Sequence, residues 1–154
     1  MRLLIVFLLL FKVGDNSRLI NGKGFSGYIF NKDHFILMNI ENEKGRYTPS
    51  DDDIYLVENI IKNSIEKANV DLLNQGEGCP IIHKRLKKYT RQYFGFENTK
   101  GEKIIYVNFV WKDKKDERLS KDIVIVKDGC SYYWSIKVNI SQAILYDLQI
   151  NGRA

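Results

Sequence analysis

Cys79 and His83 stand four residues apart, a spacing that puts a thiol within reach of an imidazole base. A thiol becomes a strong nucleophile when a neighbouring base or cation favours the thiolate and a third group orients that base. Here Pro80 intervenes and no carboxylate follows nearby. Lys84, Arg85, Lys87 and Lys88 also oppose protonation of His83. A surface or cap-region histidine is the preferred reading, and His34 stands apart from it. The Asp51-Asp52-Asp53 triplet has metal-ligand residue types, but no Gly or Glu completes a calcium-loop pattern. Two histidines and two cysteines without a CxxC pair cannot plausibly furnish a four-ligand zinc site. No catalytic residue, metal or cofactor is therefore expected, and the chain reads as non-enzymatic.

The elements that would position any site come next. Thr48 reads as an N-cap, Pro49 as the first helical residue, and Asp51 as the acidic partner of a capping box. The three aspartates suit the positive end of a helix dipole. Ile54, Val57, Ile61, Ile65, Ala68 and Leu72 form one apolar stripe, so a long amphipathic helix is predicted to end near Asn74. After Pro80 the pattern has period two. Strands are predicted over 87–96, 103–111, 123–126, 132–140 and 145–150, with Asp128-Gly129 as a hairpin turn. Residues 112–121 read as a solvated loop. Before the helix, 28–30 and 35–40 read as a short hairpin around Asn31-Lys32-Asp33. The predicted class is α+β: one long helix packed on a curled antiparallel sheet of four to five strands. That is the architecture of the cystatin-like fold, with the NTF2-like fold as the alternative.

Residues 3–11, LLIVFLLLF, follow Arg2 and precede Lys12. The run is shorter than the roughly 20 residues needed to span a bilayer and suits a signal-peptide core. No A-x-A cleavage site follows. The expected organisation is a signal peptide-like leader and linker over 1–24 and one α+β domain over 25–154, with an exported location. The charge of +5 is concentrated near the start. Without Arg2, Lys12, Arg18, Lys23 and Asp15, the 24 cations and 19 anions become 20 and 18. Composition therefore does not argue for nucleic acid. Cys79 and Cys130 allow one disulfide if the fold brings their Cα atoms within about 7 Å. Two separate thiols serving as small core residues are the preferred alternative.

Alternation assigns sheet faces. Trp134, Ile136, Val138 and Ile140 are expected inside, as are Ile105, Val107, Phe109 and Trp111. Tyr89, Arg91 and Tyr93 are assigned outward, with Tyr106, Asn108, Tyr133 and Lys137 beside them; Gln92 on the inner face is then awkward. These seven residues form the candidate binding face, since Tyr, Arg and Asn combine stacking area with hydrogen bonding. The segments 89–96 (YTRQYFGF), 101–109 (GEKIIYVNF), 126–129 (VKDG) and 147–152 (DLQING) resemble a family of small exported Bacteroidetes-type proteins without assigned function. That resemblance implies a cystatin- or NTF2-like fold and export, and supplies no catalytic residues. Cys130 stands where the family has a glycine or small residue. Inhibitory cystatins insert a QxVxG-type hairpin into a protease; Gln92-Tyr93-Phe94-Gly95 has the wrong spacing and lies within a strand. Asn139-Ile140-Ser141 is a sequon by pattern alone. The expected partner is a protein, peptide or glycan. Membrane contact is expected only through an uncleaved leader. The alternative is a small-molecule or enzymatic domain with a pocket between helix and sheet.

Overall fold

The computed structural model describes residues 16–112 and 116–153, so the apolar run 3–11 lies outside the described residues. Strands β1 (Ser17–Gly22), β2 (Phe25–Phe30) and β3 (Glu43–Tyr47) precede helix α1 (Asp51–Ala68). Strands β4 (Tyr89–Asn98), β5 (Lys103–Trp111), β6 (Tyr133–Asn139) and β7 (Ile144–Ile150) follow it. They form one open sheet of seven strands in the order β1-β2-β4-β5-β6-β7, with β3 also paired to β4. The α+β class holds. The sheet has more strands than expected and is mixed, because β2 runs parallel to β4. Residues 17–22, read as linker, are a strand of this sheet.

One edge of β4 serves two partners. Gly27–Ile29 pair with its first half and Glu43–Tyr47 with its second. Gly95 makes the second pairing close: a Cβ there would lie 2.8 Å from the Tyr47 ring. The predicted hairpin partner 35–40 is not a strand. It is an irregular segment whose Ile36 and Ile40 pack on the sheet, while β1 takes the place beside β2.

Helix α1 begins two residues later than predicted. Ser50 is the N-cap: its hydroxyl accepts from the Asp53 amide (3.1 Å), and the Asp53 carboxylate accepts from the Ser50 amide (2.9 Å). Thr48 Oγ1 instead accepts from the Lys32 amide (2.9 Å). The helix ends at Ala68, short of Asn74, because Asn69 turns inward and caps a loop. Ile54, Val57, Ile60, Ile61 and Ile65 bury one stripe against Tyr93, Val107, Trp134 and Ile136. Each such side chain contributes roughly 1.5–3 kcal/mol on burial.

The sheet's other face is covered as well. Phe30, Phe94, Phe96 and Ile104 pack beneath Ile36, Ile40 and Ile123, and Val110 packs beneath Leu119 and Val124. Residues 123–126, predicted as a strand, lie over the sheet instead of within it, and Leu119 tucks in from the segment expected to be solvated. The Asp128-Gly129 hairpin is absent for the same reason. Gly129 (φ 91°) leads into a 3-10 turn over Cys130–Tyr132.

Cys79 and Cys130 are bonded, with Cα atoms 6.2 Å apart; the separate-thiol reading is overturned. Two loops meet here. Ser131 Oγ donates to the Pro80 carbonyl, and the Tyr132 hydroxyl donates to that of Gly78. Closing a loop of 51 residues stabilises the fold by about 4 kcal/mol on the chain-entropy account.

The cap assignment is testable by urea denaturation. Ser50→Ala is expected to lower stability by about 1 kcal/mol, and Thr48→Ala by clearly less. The reverse order would place the cap at Thr48.

Candidate functional site

The seven residues of the candidate face divide between two sides of the sheet. Tyr89, Arg91 and Tyr93 point to the helix and are at most 1% exposed, which corrects their outward assignment. The reason is that polar partners wait on that side, from the helix for Arg91 and Tyr93 and from the turn before β6 for Tyr89. Arg91 Nε and Nη2 donate to the two oxygens of Glu58 at 3.2 and 3.3 Å, and Nη1 donates to the Tyr89 carbonyl at 2.7 Å. The Tyr93 hydroxyl donates to Glu58 Oε1 at 2.8 Å. The Tyr89 hydroxyl donates to the Ser131 carbonyl at 2.7 Å. The guanidinium also stands 5.2 Å from the Phe109 ring centre.

Tyr106, Asn108, Tyr133 and Lys137 do lie on the opposite face, but that face is not open. Tyr106 stacks on Phe94 at 4.8 Å and is half-buried, as are Tyr133 and Lys137. Asn108 is buried. Gln92 lies beside it, fully satisfied. Its amide donates to the carbonyls of Leu119 (2.9 Å) and Asp122 (2.7 Å). Its oxygen accepts from Asn108 Nδ2 and from the Val124 amide, both at 2.9 Å. Asn108 also donates to the Val124 carbonyl at 2.8 Å. Two side-chain amides thus replace the backbone partners that segment 119–124 lacks. Gln92 lines no pocket between helix and sheet.

Other sequence-level candidates have structural occupations. Cys79 has no free thiol, and His83 Nδ1 lies 3.0 Å from Asn69 Nδ2. Asn69 and Gln75 exchange two amide hydrogen bonds, which close the loop after α1. His34 lies tilted against the Phe30 ring, with centroids 4.6 Å apart, and approaches Asp122 Oδ1 at 3.2 Å. Asp51 pairs with Arg18, and Asp53 completes the helix cap. Asn139 of the sequon is buried and accepts from the Gln142 amide at 3.1 Å. Among the described residues no three His, Cys, Asp or Glu side chains gather as metal ligands, and no helix is long and apolar enough to cross a membrane.

A cleft of about 510 Å³ opens elsewhere, at the end of the sheet carrying the β4–β5 and β6–β7 turns. Its lining includes Asn98, Glu102, Lys137, Asn139, Gln142, Tyr146 and Asp147, over Phe96. Asn98 Nδ2 donates to Glu102 Oε2 (2.7 Å), and Gln142 donates to Oε1 of the same carboxylate. Lys137 and Asp147 pair at 2.7 Å. Hydrogen bonding to Lys137 holds the Asp147 carboxyl below its ordinary range, whereas burial raises the Tyr146 phenol. A bulge builds the far wall. The β6–β7 register shifts between Ser135 and Lys137, and Asp147 takes a positive φ of 53°. Tyr146 and Asp147 therefore both reach the cleft, while Leu145 and Leu148 pack into the helix-side core.

Of the candidate face, only Lys137 lines this cleft. The other lining residues depend on the strand order for their meeting. Because β5 pairs directly with β6, the turns at Asn98–Glu102 and Asn139–Gln142 fall at one end of the sheet; a strand at 123–126, as expected from the sequence, would have put them at opposite ends. No family model, no curated protein and no solved structure matches the chain.

Burial holds the phenols of Tyr47, Tyr89, Tyr93 and Tyr106 above their ordinary value of 10. An unfolded chain would release these protons near pH 10 while the folded chain keeps them. Stability is therefore fully present below that pH and is lost as pH rises through it. Unfolding free energies from urea titration should hold up to about pH 10 and then fall, at up to about 1.4 kcal/mol per pH unit for each phenol. Tyr106→Phe should make the fall shallower. A flat profile through about pH 11 would exclude buried phenols.

Proposed function

We propose that this is an exported, non-enzymatic binding domain that takes a glycan in the polar cleft at the β4–β5 and β6–β7 turns. The observation that carries this reading is the convergence of preorganised carboxylates and amides beside one exposed aromatic ring, Tyr146. An ionised carboxylate offers about four acceptor positions. Glu102 accepts from Asn98 and Gln142, and Asp147 from Lys137 and Gln149. Each retains acceptor capacity for sugar hydroxyls. Holding these groups in place beforehand lowers the ordering cost of binding. The Tyr146 ring offers an apolar face for a pyranose. In fold terms, β3–α1–β4–β5–β6–β7 has each strand beside the next with one helix inserted after the first, which supports the cystatin-like reading; β1 and β2 extend it. Export is supported by the apolar run 3–11 and by the Cys79–Cys130 disulfide, a bond typical of oxidising compartments.

The cleft is tested by glycan-array binding followed by calorimetry with a retained oligosaccharide. Asp147→Asn combined with Tyr146→Ala should weaken binding by about tenfold or more, since a hydrogen bond to a charged group contributes roughly 1.5–3 kcal/mol. No retained glycan, or equal affinity in the double variant, would remove the reading. Export has its own measurement: intact mass and thiol titration of the chain from fractionated cells. A chain that retains Met1 and two free thiols in the cytoplasm would sink it.

A further inference from the structure

The other end of the molecule carries a cluster of exposed cations. Lys84, Lys87 and Lys88 are exposed on two consecutive 3-10 turns, Ile82–Lys84 and Leu86–Lys88, and Arg85 is exposed between them. Lys23 joins them on the β1–β2 turn, where a Cβ at Gly24 would lie 3.3 Å from the Lys87 side chain. Lys112 also joins them, its amide donating to the Lys88 carbonyl at 2.8 Å. None of these six cations is in an ion pair with a described residue. Of the nearby carboxylates, Glu66 faces His83 at 3.9 Å and Glu77 is held by Arg153 at 2.8 Å, while Asp71 is a single exposed anion between Val70 and Leu72, outnumbered by the six cations.

Exposed aliphatic side chains stand beside this charge. The loop leaving α1 presents Val70, Leu72 and Leu73, which are 71%, 40% and 63% exposed. It is tied to the cationic turns through Asn69 and His83 (3.0 Å) and through Gln75 Oε1, which accepts from the Ile82 amide at 3.0 Å. Leu72 has φ 47°, a left-handed conformation that glycine or asparagine adopts far more readily. Packing does not explain a leucine there, because the side chain is not buried.

We infer that this end of the molecule docks on an anionic phospholipid surface, its cations against headgroups and Val70, Leu72 and Leu73 entering the acyl boundary. Cations rimming exposed aliphatic groups are the composition of a peripheral membrane site. A soluble polyanion would use the charge but leave the three aliphatic side chains in water. The inference is independent of the glycan cleft, which lies at the opposite end of the sheet.

The test is sedimentation of the full chain with vesicles of phosphatidylcholine alone or mixed with phosphatidylglycerol. Mixed vesicles should bind more tightly, and high salt should abolish the difference. Reversing Lys84, Arg85, Lys87 and Lys88 to Glu should weaken binding to mixed vesicles by roughly fivefold per cation. Leu72→Gly with Leu73→Ser should weaken it while leaving the salt dependence in place. Leu72→Gly also relieves the backbone, so folding is not at risk, and thermal melting checks the charge variants. Equal binding to both vesicle types, insensitive to charge reversal, would assign adhesion to another segment and overturn the inference. So would tight binding to a heparin-like polyanion combined with no effect of the leucine changes.

Discussion

Arg91 is a charge held 1% exposed between a helix and a sheet, and the arrangement of β4 follows from keeping it partnered. Glu58 supplies both carboxylate oxygens from α1 and also takes the Tyr93 hydroxyl. Replacing such a pair with apolar residues of like volume is often neutral, but removing one partner typically costs about 3–5 kcal/mol. The pair therefore acts mainly by penalising alternatives. A one-residue slip of β4 would carry Arg91 beneath the covering segments and bring Gln92 under α1. Arg91 would lose Glu58, and Gln92 would lose the carbonyls and amide of the covering segment. The parity of β4 then sets that of its neighbours, because Arg91 pairs with Phe109, which pairs with Trp134.

With that parity fixed, the second face must be closed too. Phe94, Phe96, Ile104 and Val110 point away from α1 and are buried without a second helix. The cover comes from irregular segments, which bring unpaired backbone groups into a buried layer. Gln92 and Asn108 resolve this by hydrogen bonding to Leu119, Asp122 and Val124. The central strands are thus buried on both faces, one side by a helix and the other by turns and coil held through side-chain amides.

This explains which parts were legible in the sequence. The strand over 103–111 is observed as Lys103–Trp111, and the stripe from Ile54 to Ile65 faces the core, because local periodicity carries both signals. The parity of β4 was not legible. YTRQYFGF alternates two mixed sets, and the choice between them depends on Glu58, thirty-three residues away. Residues 123–126 show the same limit. Their apolar content suits either a strand in a sheet or a cover over one, and the amides that select the cover come from β4 and β5. Strand β3, EKGRY, has no apolar alternation at all; it exists because Gly95 lets Tyr47 approach. For the site, Lys137 was legible from alternation. Asn98, Glu102 and Gln142 were not singled out, because turns read locally as solvent-exposed polar residues.

A sheet whose centre is covered on both faces leaves its edges and ends as its open surfaces. At one end, two turns and the Asp147 bulge converge on a cleft of polar groups already hydrogen-bonded to one another. At the other, the disulfide ties the loop after α1 to the turn before β6, and Asn69 with Gln75 fills the space beneath. Rigid support of that kind lets exposed side chains adopt costly conformations, since the surrounding bonds overdetermine the backbone. Leu72, Asn74, Glu77 and Cys130 all have positive φ within this tied region. The covalent bond and the amide pair therefore do more than stabilise the domain. They fix the posture of a loop whose exposed leucines have no role in the core.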